Sequence, residues 1–340
     1  MTSCTHRVIV AGRRILLAAV GAGLTAAVVQ AQPASIGSTG ATAAYPNRPI
    51  RLLVGYSAGG GVDAMARLLA PRLAAQLGQQ VIVDNRAGAA GSIAADAVAK
   101  AAPDGYTLFL GDSATLIAPH MQQKLAFDPI KSFTPIAGVF SMPLVIVTGN
   151  NFPALTPQEF VAALKANPGK YSFGTSGVGT VQHLGFEMMK AQIGAFVVHI
   201  PYRGAAQIVP DVISGQVPIG VVSATAAMAQ ARAGKLKAVA IMSPVKLSGA
   251  DDLQPLATAL PEFDAAPRLF LLAPAGLLQP VADRLGEAAR IVMAAPDLAS
   301  AAAAQGAVPA YQPGTALGTS LAEESARWAR VIRSQKITTE

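Results

Sequence analysis

The chain has a single cysteine, Cys4, among 340 residues. A disulfide framework is excluded, and past residue 4 so are a thiol nucleophile and a thiolate metal site. Histidine is almost as scarce: only His6, His120, His183 and His199 occur. No three His, Asp or Glu fall at metal-ligand spacing, so neither a metal nor another cofactor is expected. Charged residues make up 13% of the chain and aromatics 5%. No Lys/Arg cluster with interleaved aromatics stands out, which argues against nucleic acid as a partner. After the first thirty residues, no stretch approaches 18 uninterrupted apolar residues, so no membrane span is expected there. What the chain does have is apolar bulk, 52% of its residues, and 32 glycines. That composition suits one large or two ordinary buried cores and is the opposite of a disordered chain.

The formal charge is +7, but Arg7, Arg13 and Arg14 lie in the first 31 residues, where no Asp or Glu occurs. Those residues read as a signal peptide over 1–31: a basic start, the apolar run "ILLAAVGAGLTAAVV", and small residues Val29 and Ala31 before a cut. The apolar run is shorter than the ~20 residues of a membrane span. Arg13–Arg14 leaves Sec and twin-arginine export both open. Residues 32–47, beginning "QPASIGSTGATAA", read as a flexible leader. The mature product is expected in the periplasm, mildly basic, with a weak field suited to a small anion.

From Pro49, short apolar strands alternate with helical patterns. "IRLLVGY", "QVIVDN" and "GYTLFLGD" read as strands. Between the first two, Met65, Leu68, Leu69, Leu73 and Leu77 recur at helical spacing until Gly78. "SIAADAVAKA" is a second helix. This alternation predicts a parallel sheet with helical crossovers. A second unit begins near Leu144. In it, Thr156, Pro157 and Glu159 spell a helix start. "KYSFGTS", "AFVVHIPY", "QVPIGVVS" and "LKAVAIMS" are its strands, and "VQHLGFEMMKAQ" and "AAQIVPDVIS" its helices. "RLFLLAPAG" returns to the first unit, and the last helix includes 322–333, with Trp328, Val331 and Ile332 on one face. The fold class is α/β, with a discontinuous lobe I over 48–144 and 269–340 and a lobe II over 145–268. Two crossings make a hinge, with a ligand cleft between the lobes.

Three strand-to-helix turns carry glycine. Gly59, Gly60 and Gly61 leave bare backbone N–H groups at a helix start, a ready anion site, with Asp63 placed to cap free N–H groups in the first turn. No Lys-Ser/Thr follows, so this is no phosphate-binding loop. "GTSGVGTVQH" is the counterpart in lobe II, and "PYRGAA" offers Arg203 to a carboxylate. Each turn taken alone has a plain structural reading: a tight turn, or a surface arginine.

The pieces "YPNRPIRLLV", "AGGGVDAMARLLAPRL", "VDNRAGAAGSIAADAVAKAAPDGYTL", "GTSGVGTVQHL", "HIPYRGAA", "SGQV" and "LLAPAG" run in order across nearly the whole mature chain. In these the chain resembles the Bug-type solute receptors of tripartite tricarboxylate transporters. The resemblance implies a two-lobed periplasmic binding protein fold, type II-like, closing on a small carboxylate. It also implies a monomer that meets membrane transporter subunits transiently. The family's first-loop contacts fall on Tyr56, Ser57, Ala58, Gly59 and Asp63. Its second-lobe contacts fall on Ser176, Gly177, Thr180, His183, Tyr202, Arg203 and Gly204. Ser113 and Arg268 complete the candidate set.

The sequence departs from the family pattern at three places. Val222 stands where an Asp is common, Arg268 and Leu269 where an aromatic pair is common, and Pro210 where a non-proline is usual. If the helix starts near Ala206, Pro210 falls at the edge of its first turn. An Arg268 head reaching the cleft would favour a dicarboxylate without an amino group. Two rival readings stand beside transport. One is a ligand-sensing or catabolism-linked binding protein. The other is an exported serine hydrolase built on "GDSA" with Ser113 as nucleophile. The hydrolase lacks a late histidine, since none follows His199, and "GTSGV" misses a nucleophile elbow. No enzyme is expected.

Overall fold

The computed structural model describes residues 45–121, 125–202, 205–244, 246–247 and 249–338. The expected signal peptide, most of the leader, Arg203 and Gly204 lie outside the described residues. Among the described residues, no helix is long and apolar enough to cross a membrane.

Two sheets organise the chain. The first has six strands in the order β11-β4-β10-β3-β1-β2, where β1 is Ile50–Val54, β2 Val81–Asn85, β3 Thr107–Asp112, β4 Phe133–Ser141, β10 Arg268–Pro274 and β11 Val308–Pro313. The second has five in the order β7-β6-β8-β5-β9, where β5 is Leu144–Thr148, β6 Ser172–Thr175, β7 Val198–Pro201, β8 Ile219–Ser223 and β9 Lys237–Ile241. The predicted strands all form, and β1 pairs in parallel with both β2 and β3. The sheets are nevertheless mixed. β10 runs antiparallel to β3 and β4, β11 to β4, and β5 to β8 and β9. Strands β4, β5 and β11 escaped the sequence reading. Pro135, Pro309 and Pro313 interrupt the usual strand pattern in β4 and β11. They are tolerated because β11 is an edge strand and pairs only with Ala137–Ser141, so Pro135 sits beyond that ladder.

The chain passes between the sheets twice, at 142–143 and at 242–267. These segments are tied to one another: Met142 N–H donates to Pro267 O at 2.8 Å, and Met242 N–H to Leu144 O at 2.8 Å. Helices α1 (Gly61–Leu77), α8 (Gln279–Met293) and α9 (Pro296–Ala304) pack with β1, β3, β4 and β10 in one core, around Leu52, Met65, Leu69 and Leu271. A second core in the five-stranded half gathers Val145, Val147 and Val222 with α6 (Ile208–Ser214) and α7 (Ala224–Arg232). A third runs through both halves. Phe109 and Trp328 share it with Ile146, Phe173 and Phe186, bringing together α3 (Ser113–Met121), α5 (Val181–Ile193) and α10 (Gly314–Ser334).

Local signals explain the helix ends. Thr156 and Glu159 form a reciprocal capping box on α4 (Pro157–Ala166), and Gly78 ends α1 at φ 71°. α6 begins later than the sequence suggests, at Ile208, and Pro210 is its third residue. There its missing N–H removes no intrahelical bond.

Candidate functional site

The first turn leaves β1 at its C-terminal end. Ser57 to Gly60 are exposed, and Gly60, the N-cap of α1, makes no side-chain cap. The first N–H groups of α1 lie at the positive end of its dipole, with no side-chain cap from Gly60. The three glycines are not equivalent. Gly59 has φ +85°, which an L side chain adopts at a cost, whereas Gly60 has φ −79° and only Ser57 O near its would-be Cβ, at 3.4 Å. The conformational demand thus falls on Gly59.

Asp63 holds this turn together. It is buried, and its Oδ2 accepts from Gly59 N–H at 2.8 Å and Arg67 Nε at 2.9 Å. Its Oδ1 accepts from Asn85 Nδ2 at 2.9 Å, and the same amide donates to Tyr56 O. Parallel pairing of β1 with β2 brings Asn85 level with Val54, which explains this reach. The hydrogen bond from Arg67 leads the causes that hold Asp63 down to about 2. Tyr56 donates its hydroxyl to Asp112 Oδ2 at 2.6 Å. Burial pushes the Asp112 carboxyl up to about 6, and burial together with Asp112 drives the Tyr56 phenol well above its ordinary range.

Ser113, next along, is fully buried. Its hydroxyl accepts from Arg268 N–H at 3.0 Å. The Arg268 head is engaged within the protein. It donates to Ser320 Oγ at 2.7 Å, Gln312 Oε1 at 2.6 Å and the buried Glu324 Oε2 at 3.3 Å. The ion-pair partner of Arg268 within the protein is Glu324, on α10. Val222 is 1% exposed and packs among Val145 and Val147.

The second turn joins β6 to α5. Ser176 donates both its N–H, at 2.9 Å, and its hydroxyl to Gln182 Oε1. Thr180 caps α5, accepting from His183 N–H at 3.3 Å and donating to Gly177 O at 2.8 Å. Gly179 N–H donates to His183 Nδ1 at 3.2 Å, so that nitrogen is the unprotonated one. His183 and His199 stack at 3.8 Å and 10°, and His199 Nε2 meets Thr175 Oγ1 at 2.6 Å. Burial pushes His199 down to about 3. Beneath them Lys190 donates to Glu187 Oε1 at 2.7 Å, both buried. Burial alone would raise the Glu187 carboxyl, but bonds from His183 and Lys190 outweigh it and hold the group below its ordinary value. Tyr202 joins this cluster through its N–H to Thr175 O, while its hydroxyl donates to Asp211 Oδ2 at 2.7 Å. Burial and Asp211 raise that phenol to about 12.

The candidate residues thus form two clusters, one at each turn, and no hydrogen bond joins the turns among the described residues. Two methionines border them. The Met142 methyl lies 3.0 Å from a Cβ built on Gly61, and the Met121 methyl, at the end of α3, lies 3.0 Å from one built on Gly179. Sequence reading missed both, along with Asn85, Asp112 and Gln182. Asn85 and Asp112 were visible as polar residues at the C-terminal ends of strands, where α/β sheets place ligand sites.

A family model for the tripartite tricarboxylate transporter family receptor matches residues 65–337. The chain belongs to this family. The receptor is 34% identical over 292 residues to protein BugT of Bordetella pertussis, an alignment spanning 85% of this chain and 90% of that one. Among solved structures, an R. palustris protein with adipate is 26% identical with a TM-score of 0.73, covering 86% of this chain and 99% of that one. MatC from Rhodopseudomonas palustris with bound malate is 28% identical with a TM-score of 0.67, covering 85% of this chain and 100% of that one. The receptor has the α/β, two-sheet architecture of periplasmic binding proteins, and its family is one of solute-binding receptors rather than enzymes.

Proposed function

We propose that the receptor binds a small carboxylate in a cleft between lobe I, 48–144 and 269–340, and lobe II, 145–268, and delivers it to the membrane subunits of a tripartite transporter. On this reading it works in the periplasm as a monomer after loss of residues 1–31. The observation that carries the reading is the first turn. Exposed backbone at a helix N-terminus, without a side-chain cap on Gly60, leaves N–H donors for a carboxylate. The second turn, with Tyr202, is the opposing wall. Arg203 and Gly204 remain candidates on the sequence alone. The relatives solved with adipate and malate support the carboxylate class.

Calorimetry of the mature chain against adipate, malate and aspartate tests this. Adipate or malate should bind one to one, and at 100 times Kd should add about 2.7 kcal/mol of stability. Gly59→Val should remove the binding. Absence of binding by every carboxylate tried, or full binding in Gly59→Val, would overturn the reading.

A further inference from the structure

A cavity of about 580 Å³ lies away from both turns, and its wall includes none of residues 56–63 or 174–183. One side is α7 with Lys246, Leu247 and Ala250, from the half containing the five-stranded sheet. The other is α9 with the start of β11, from the half containing the six-stranded sheet. Its size is that of a small-molecule site.

The wall chemistry is one-sided. Arg232 and Lys246 bring two positive charges, Thr225 and Ser300 bring hydroxyls, and no Asp or Glu contributes. Asp251 and Asp252 follow in the chain, but they are exposed and outside the wall. Arg232 Nη2 donates to Gly249 O at 2.5 Å, which holds the guanidinium at the rim while leaving its other N–H donors available. Among the described residues Lys246 has no ion-pair partner. The remaining wall is apolar, with Met228 and Leu247 and the small residues of α9. Cations at the mouth of an apolar hollow match an anion with an apolar body.

We propose that this cavity is a second binding site, for an amphiphilic monocarboxylate whose head meets Arg232 and Lys246 and whose apolar body lies against Met228 and Leu247. The two halves come together at its edge, where a Cβ built on Gly306 would lie 2.8 Å from Thr225 Cγ2. An occupant therefore touches both halves at once.

Hexanoate is the probe and hexanol its uncharged control, titrated by calorimetry into the mature chain. Hexanoate should bind at least tenfold more tightly than hexanol. The double variant Arg232→Ala/Lys246→Ala should weaken hexanoate at least tenfold, and Ala303→Trp, which fills the hollow, should abolish binding. Gly59→Val should leave hexanoate binding intact, so the result reads independently of whether the turns bind adipate. No binding of millimolar hexanoate, or binding lost in Gly59→Val and kept in the double variant, would overturn the proposal.

Discussion

The two glycine-bearing turns solve one problem with different chemistry. Each must hold an irregular backbone open beside a helix start, and each does so by engaging particular N–H groups of its own. In the first turn a charged group does this: Asp63, paired with Arg67 and Asn85, takes Gly59 N–H. In the second, uncharged side chains do it: Gln182 takes Ser176 N–H and the His183 ring takes Gly179 N–H. The first turn is exposed and holds one left-handed glycine, Gly59, while the second is half-buried, holds Gly177 and Gly179 at positive φ, and is tied to the His183 ring, which stacks on His199. Asp63, the charged clamp, is itself buried and is paired with Arg67, since a buried ion needs a partner of its own. Glu187 and Lys190 meet that need one layer deeper, as a pair.

The sharpest way to break the comparison is Asp63→Ala. It removes the acceptor of Gly59 N–H and one of the two acceptors of the half-buried Asn85 amide, and should cost about 1–3 kcal/mol in urea unfolding. Gly59→Ala should follow, at about 1–2 kcal/mol, because its backbone is left-handed, while Gly60→Ala should be nearly silent. Equal costs at the two glycines would erase the distinction drawn between them. Gln182→Ala in the second turn should cost about 0.5–1.5 kcal/mol, a neutral bond's worth.

The comparison also has a pH dependence. The clamp on Asp63, whose pKa is depressed to about 2, stabilises fully above the ordinary value of 3.8 and is lost as pH falls through 2. His199, also depressed, binds its proton less readily folded than unfolded. Its contribution is therefore lost as pH falls below 6.5 toward 3. His199→Gln should flatten unfolding stability between pH 6.5 and 4, and Asp63→Asn only below pH 4. A His199→Gln profile with the wild-type slope would show that the buried rings do not set it.

Much of this was legible along the chain. The strands from Ile50 to Asp112, the Thr156 capping box, the Gly78 stop and the glycine turns all announce themselves within a few residues. Helix α10 was legible through Trp328, Val331 and Ile332, which are buried as their spacing implies. The prolines of β4 and β11 concealed two strands, because local propensity carries no information about which neighbour leaves an N–H unneeded. The site was legible as backbone but not as side chains. Asp63 and Arg268 were visible as charges near the turns, and each proved to be engaged by the protein itself.

The sequence by itself determined the elements and their ends, because periodicity, caps and left-handed glycines act over one or two turns of chain. It also determined the family, through motifs spread over its length. Tertiary structure alone decided how β10 inserts between β3 and β4, and so brings Arg268 N–H to Ser113, 155 residues away. It alone decided that the Arg268 head meets Glu324, and that Asn85 reaches Asp63. A charged or polar side chain can satisfy itself with any partner the fold brings within about 3 Å. That choice depends on long-range pairing of strands and helices, which no local stretch of residues encodes.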